Sequence, residues 1–183
     1  MRSVIITQNI TADGSIEMLD DWFDPEPPVP GRSELAELNA AQEEACDLVV
    51  LGRRTFEDFR GYWPDADDAA GISDYLDTVD KVVVSRTLTD PGWRNSAVVR
   101  DPLAAIRELR ERAGGDIVVT GSISVCHALL RAGLVDEIRL FDYPWLQGRG
   151  RLLLPADAPP VRLTLTDARL LDGVMPYRAY RLH

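Results

Sequence analysis

Residues 47–55, DLVVLGRRT, and 81–86, KVVVSR, are apolar runs that each end in a short polar turn carrying arginine. Unbroken Val and Leu suit strands buried on both faces, the situation of a parallel sheet covered by crossover helices. The turn after such a strand lies at the sheet's carboxyl edge, where open α/β sheets bind ligands. A third run, 116–120, enters Gly121 and Ser122 and then an apolar helix, which offers free backbone N–H groups to an anion. Arg53, Arg54 and Arg86 at such turns point to a phosphate-rich cofactor.

The rest of the chain fits one frame. Strands are expected at 2–8, 47–51, 81–85, 97–100, 116–120 and 136–142. Helices are expected at 33–46, 55–59, 72–77, 102–110 and 122–131. Ser33 is placed to cap the first, with Leu35, Leu38, Ala41, Gln42 and Ala45 along one face. Asp101-Pro102 opens another well, because Asp caps and Pro at the first turn loses no intrahelical bond. The prolines of 24–31 exclude regular structure there. After Gly150 the pattern changes. Val161, Leu163 and Leu165 alternate with polar residues, and 177–182 do so more loosely, with Gly173 between the runs. That predicts an antiparallel pair at the sheet edge. The expected fold is α/β: a three-layer, doubly wound, mostly parallel sheet with an antiparallel C-terminal edge, in one domain over 1–183.

Composition narrows the function. The net charge is −10, which argues against nucleic acid, since binding there relies on a basic face. No 18-residue apolar stretch or signal-like leader is present, so no membrane partner is expected, and the cytoplasm is the expected location. Cys46 and Cys126 sit in apolar helical contexts and read as buried free thiols. With two histidines, His127 and His183, and no Cys/His cluster, no metal site is expected. Neither GxGxxG nor GxxxxGK occurs, so an ordinary Rossmann fingerprint or P-loop is unsupported.

Six segments in order resemble the dihydrofolate reductase superfamily. They are VIITQNITADGSI (4–16), LGRRTFE (51–57), KVVVSR (81–86), VTGSIS (119–124), GLVDEI (133–138) and YPWLQGRG (143–150). The branch they resemble most is the C-terminal reductase domain of the bifunctional riboflavin-biosynthesis deaminase-reductase, here as a stand-alone reductase. The resemblance implies NADPH as cofactor. Gly52, Arg53 and Thr55 would meet its phosphates, with Gly121, Ser122, Ile123 and Ser124. Ser85 and Arg86 would receive the adenosine ribose, Arg86 favouring a 2′-phosphate. Asn9, Ile10 and Ile16 would lie near the nicotinamide. Ser122 stands where dihydrofolate reductases have a second glycine in unusual backbone geometry, and would adopt that geometry at some cost.

The substrate side is less defined by sequence. The first helix places Leu35, Leu38 and Gln42 inward, and no carboxylate there matches the one that binds pteridine in dihydrofolate reductases. Trp22, Asp24 and Trp145 are the substrate-side candidates, Trp145 suiting a pocket wall or a subunit interface equally. Asp13 is a catalytic candidate, although an ordinary tight turn with Gly14 explains it as well. The function implied is hydride transfer from NADPH to a pteridine-like or ribosylaminopyrimidine-like molecule. The alternative is a nucleotide-binding sensor of the same fold without turnover. Leu140, Phe141, Tyr143, Trp145 and Leu146 form an apolar cluster near the polar GRGR turn at 148–151, so a C2 homodimer involving the late strands is expected.

Overall fold

The computed structural model describes residues 1–23, 33–66 and 71–183. The elements in order are β1 (Val4–Thr11), α1 (Glu34–Ala45), β2 (Cys46–Gly52), α2 (Arg53–Tyr62), α3 (Ile72–Thr78), β3 (Asp80–Val84) and β4 (Ser96–Val99). They continue with α4 (Pro102–Glu111), β5 (Asp116–Thr120), α5 (Ile123–Arg131), β6 (Glu137–Tyr143), β7 (Leu163–Leu171) and β8 (Met175–Leu182). All strands join one sheet, ordered β4-β3-β2-β5-β1-β6-β8-β7. Pairing from β4 through β6 is parallel, while β8 runs antiparallel to both β6 and β7. The mostly parallel sheet with an antiparallel C-terminal edge is therefore present. The loop expected at 24–31, with Asp24 in it, lies outside the described residues.

Strand alternation sorts the core into layers. Val4, Ile6, Leu48, Val50, Ile117 and Val119 face Ile106 of α4 and Val125 and Leu129 of α5. On the other face, Val49, Leu51 and Val83 pack on Phe56 of α2, whereas Phe141 and Tyr177 pack on Leu38 of α1. The second face thus holds two separate clusters with a gap between them beneath α1. Each fully buried Leu, Ile or Phe contributes about 1.5–3 kcal/mol by leaving water.

The expected caps are present. Ser33 Oγ accepts from Ala36 N at 3.0 Å, and Asp101 Oδ1 accepts from Leu103 N at 2.9 Å and Ala104 N at 3.2 Å. Asp172, in the β7–β8 turn, adds a second cap to α1. Its carboxylate accepts from Glu34 N at 2.7 Å, and Glu34 Oε2 accepts from Asp172 N at 2.7 Å. The hairpin therefore fixes the start of α1. Lys81, the chain's only lysine, is 1% exposed. Its ammonium donates to Leu76 O and to Val79 O at the end of α3, and lies 4.7 Å from the Trp93 ring centre. Desolvation lowers its pKa to about 8.

Several expectations need correcting. β1 begins two residues later than expected and runs on to Thr11, because Asn9, Ile10 and Thr11 pair with Phe141, Asp142 and Tyr143 of β6. α2 starts at Arg53, capped by Gly52, so the Gly-Arg-Arg-Thr motif forms a helix's first turn. On α1, Ala41 and Ala45 are exposed, and the inward stripe is Leu35, Leu38, Asn39, Gln42 and Glu43. Leu140 and Phe141 are 5% and 6% exposed and belong to the chain's own core, unlike Trp145 at 48% and Leu146 at 80%. Edge strand β7 alternates as read, yet Leu163, Leu165 and Leu170 are all exposed.

At the amino ends of the strands, Arg2 is buried. It donates from Nε to Gly115 O at 2.7 Å and pairs with Asp47, whose Oδ2 accepts from Gly115 N at 2.8 Å. A β-carbon on Gly115 would stand 2.4 Å from Ala45 O, a backbone atom. Gly115→Ala should therefore lower stability by about 1–3 kcal/mol. A urea melt should show a lower midpoint with unchanged slope. An unchanged midpoint would contradict this packing.

Candidate functional site

The gap beneath α1 opens into a cleft of ≈ 1120 Å³ that runs along the carboxyl edge of the sheet. Strand ends supply its floor: Thr7 and Asn9 from β1, Gly52 from β2, Val84 from β3, Thr120 from β5, and Phe141 and Tyr143 from β6. That is where open parallel sheets place ligands. The volume exceeds what a single drug-sized ligand needs, roughly 300–1,000 Å³.

Two turns at one end hold each other. Gly52 N donates to Ser122 Oγ at 2.6 Å, and Ser122 N donates to Thr55 Oγ1 at 3.0 Å. Ser122 has φ 38° and ψ 51°, the left-handed region, as the resemblance implied. For a residue with a β-carbon this costs of order 1–3 kcal/mol. The two hydrogen bonds offset that cost and fix the geometry. Gly121, at φ 58°, could not carry a side chain, because a β-carbon would stand 2.7 Å from Thr55 Cγ2. Its carbonyl accepts from the buried Gln8 Nε2 at 2.5 Å. The first turns of α2 and α5 are thereby aimed into one end of the cleft, where their N–H groups and dipoles favour anions.

The cofactor-side candidates divide. Asn9, Ile16, Gly52, Arg53, Thr55, Ser85, Arg86, Gly121, Ser122, Ile123 and Ser124 all line the cleft. Ile10 does not. It is one step from Asn9 in a strand, so it points to the other face and packs in the core. Arg53 is held by Glu57 one turn along, at 2.6 Å. Its neighbour Arg54 lines the cleft, is exposed, and makes no ion pair with a described residue. Ser85 Oγ accepts from Thr87 N at 3.2 Å and Leu88 N at 2.9 Å, so it shapes the turn that presents Arg86.

The opposite half of the cleft is walled by aromatic rings, Phe23, Phe59, Trp63, Phe141 and Tyr143. Trp22 and Trp145 are not among them. They stack on each other, with ring centres 4.9 Å apart, on the far side of Phe23 and Tyr143. α1 turns Asn39, Gln42 and Glu43 toward this half, so a carboxylate of the first helix does reach the cleft. Thr7 lines it too, and its buried Oγ1 has no hydrogen-bond partner among the described residues. Such an atom costs stability unless something pairs with it. Tyr75 and Cys46 share a hydrogen bond here, and burial pushes both pKa values up, so both stay neutral near pH 7. Cys126 is fully buried, its thiol pushed up to about 12.

Asp13 stands away from the cleft. Its carboxylate accepts from Thr11 Oγ1 at 2.5 Å, Gly148 N at 2.5 Å and Gln147 N at 3.0 Å. It ties the 143–150 segment to the first turn, a structural task. Sequence reasoning named both Arg53 and Arg54 at the turn after β2, and it missed Thr7, Asn39 and Glu43. Helical spacing from Leu35 and Leu38 was the available signal for Asn39, Gln42 and Glu43. Among the described residues no group of His, Cys, Asp or Glu could hold a metal, and no helix is long and apolar enough to cross a membrane.

Sheet order, helices on both faces and glycine turns at the carboxyl edge define a dihydrofolate reductase-like α/β protein. The chain belongs to the RibD C-terminal domain family, whose model matches residues 2–175. It is 25% identical over 178 residues to YyaP of Bacillus subtilis (strain 168), an uncharacterized protein, covering 94% of this chain and 90% of that one. Its fold is similar to a Shewanella sp. PV-4 protein ascribed to riboflavin biosynthesis. The TM-score is 0.77 at 19% identity, over 99% of both chains. It is also similar to the Enterococcus faecalis dihydrofolate reductase solved with NADP(H). There the TM-score is 0.62 at 16% identity, over 99% of this chain and 96% of the other.

The three hydrogen bonds lower the Asp13 pKa to about 2, the Thr11 hydroxyl contributing most, against an ordinary 3.8. A depressed carboxylate stabilises the fold above its unfolded value and loses that contribution as pH falls through the folded value. Asp13→Asn should therefore flatten the dependence of stability on pH between about 4 and 2. Urea melts across that range check it. A wild-type slope in the variant would show that Asp13 does not hold the loop.

Proposed function

We propose that the protein is an NADPH-dependent reductase that delivers a hydride to a pteridine-like or ribosylaminopyrimidine-like molecule. The observation that carries this reading is a single cleft with two chemically different halves. One half presents Arg54, Arg86 and two helix N-termini, a donor set that suits phosphates. The other is aromatic and is also lined by Thr7 and Asn39, polar groups that suit a planar polar ring. The family supports the reductase class, and the likeness to a dihydrofolate reductase solved with NADP(H) is consistent with the cofactor.

When bound, NADPH would supply the hydride. The chain's own work is positioning. The locked turns at Gly52 and Ser122 present backbone N–H groups, and Arg54 and Arg86 offer guanidinium donors. Asn9 and Ile16 also line the cleft, and in this reading they would stand beside the nicotinamide. The aromatic walls exclude water and hold a flat ring by stacking. Such placement, rather than acid–base chemistry, is what a hydride transfer demands of the protein. The buried free thiols suit a cytoplasmic, reducing setting for this activity.

Arg86 tests the cofactor directly. A charge-assisted contact to a 2′-phosphate is worth about 1.5–3 kcal/mol, roughly tenfold to hundredfold in affinity. Arg86→Ala should weaken NADPH by that factor and leave NADH nearly unchanged, read by tryptophan fluorescence. Equal losses for both would contradict the assignment. Binding of NADPH without its consumption in the presence of reducible pterins and aminopyrimidines would favour a sensor.

The reading includes a C2 homodimer. Edge strand β7 leaves Leu163, Leu165 and Leu170 exposed, and Val174 follows at 68% exposure. A strand edge with apolar side chains favours pairing with another chain. Light scattering at micromolar concentration should give twice the 20.3 kDa chain mass. A mass that stays at the chain value on concentration would rule out a stable dimer.

A further inference from the structure

We propose that the substrate's ring carries an uncharged, largely apolar arm, and that a branch of the cleft beneath α1 and α3 receives it. The inference rests on the ring-binding reading of the aromatic half and names the class of substrate that half takes. A dinucleotide laid along the carboxyl edge crosses strand ends only. The cleft also runs down the face of the sheet, where Val49 and Cys46 of β2 and Val118 of β5 line it. Tyr75 and Leu76 of α3 line it as well. A dinucleotide at the edge leaves this branch unused.

Register gives the depth of the branch. Thr120 ends β5 at the carboxyl edge, and Cys46 pairs with Asp116, four residues earlier on that strand. Both Thr120 and Cys46 line the cleft. At about 3.3 Å per residue, the lining descends roughly 13 Å from the edge. Thr7 pairs with Thr120, so its buried hydroxyl, without a partner among the described residues, marks the mouth of the branch. That is where a polar ring would sit. The branch stays open because α1 packs to one side of it. Leu38 joins Phe141 and Tyr177, and Gln42 Nε2 donates to the Tyr177 hydroxyl at 3.1 Å. At the far end, a hydrogen bond between Tyr75 and Cys46 joins α3 to the start of β2.

The lining decides what the branch accepts. Val49, Val118, Ile72 and Leu76 are apolar, and Phe59 packs in one cluster with Val49 and Val118. Burial keeps the Cys46 thiol and the Tyr75 phenol neutral. Among the described residues, the cations lining the cleft are Arg53, Arg54, Arg86 and Arg151. Each leaves from a loop or a first helical turn at the carboxyl edge. The charged lining residues farther along α1 and α2 are Glu43 and Asp58, both acidic. An arm ending in phosphate or carboxylate would lose its hydration there, gain no cation and face like charge. An alkyl or phenyl arm would leave water and contact the valines.

The test is calorimetry on the full chain in the presence of NADP+, with two ring series, pterin and 5,6-diaminouracil. Each ring is used bare, with a butyl arm, and with a propyl phosphate arm at the same atom. A buried methylene is worth roughly fourfold in affinity, so in at least one series the butyl arm should tighten binding about tenfold or more. The propyl phosphate arm should bind no tighter than the bare ring. Val118→Phe fills the branch and should remove the butyl preference while bare-ring affinity stays within about twofold. Val118→Leu intrudes by one methylene and should cut the preference at least about twofold, which keeps the test open where the Phe variant does not fold. Three results overturn the proposal: a butyl arm that adds nothing in either series, a phosphate arm that binds tighter than the butyl arm, or a butyl preference unchanged in the folded variants. In each of them a ring still binds, and the reading of the aromatic half stands. Wild type that binds no ring in either series, bare or armed, removes that reading together with the arm.

Discussion

Ser122 occupies a left-handed backbone conformation that its β-carbon opposes, and it is held there by a pair of reciprocal hydrogen bonds. Gly52 N–H reaches the Ser122 hydroxyl, and Ser122 N–H reaches the Thr55 hydroxyl. These bonds connect the end of β2 to the end of β5, the neighbouring strands of the sheet. They bring the first turns of α2 and α5 together at one point. Without them, two helix N-termini would open independently, and that end of the cleft would lose its shape. The strain is stored where a ligand would use it, as strained backbone at functional sites commonly is.

The other half of the cleft exists because the sheet's second face is not packed continuously. α1 reaches the sheet through Leu38 and is fixed at its start by Asp172 of the late hairpin, 138 residues away in sequence from Glu34. The antiparallel edge thus positions a wall of the site as well as finishing the sheet. Thr7, whose hydroxyl is buried without a partner among the described residues, faces the space so created. Fold and site share one cause: helix α1 packs into one of the two clusters through Leu38 and leaves the gap between them open.

Much of this was legible in the sequence, and the misses have physical causes. Valine runs marked the parallel strands, and Ser33 and Asp101 marked helix starts, because both signals act locally. Asn9 and Ile10 were read together as lining residues, which strand alternation forbids. Glu43 sits on the stripe that starts at Leu35, but alanines at 41 and 45 drew the reading to a different face. Trp22 and Trp145 looked like pocket residues by type, whereas they stack on each other outside the cleft lining. Asp13 had the chemistry of a catalytic acid and the neighbours of a turn.

The central claim is that the interlocked turns form the phosphate end of a dinucleotide site. A crystal structure of the full chain grown with NADPH measures this most directly. The account predicts the cofactor diphosphate between the Gly52–Thr55 and Gly121–Ser124 turns, with both hydrogen bonds of Ser122 intact and the nicotinamide ring beside Asn9 and Ile16. A diphosphate bound elsewhere, or turns that separate to admit it, would contradict the account.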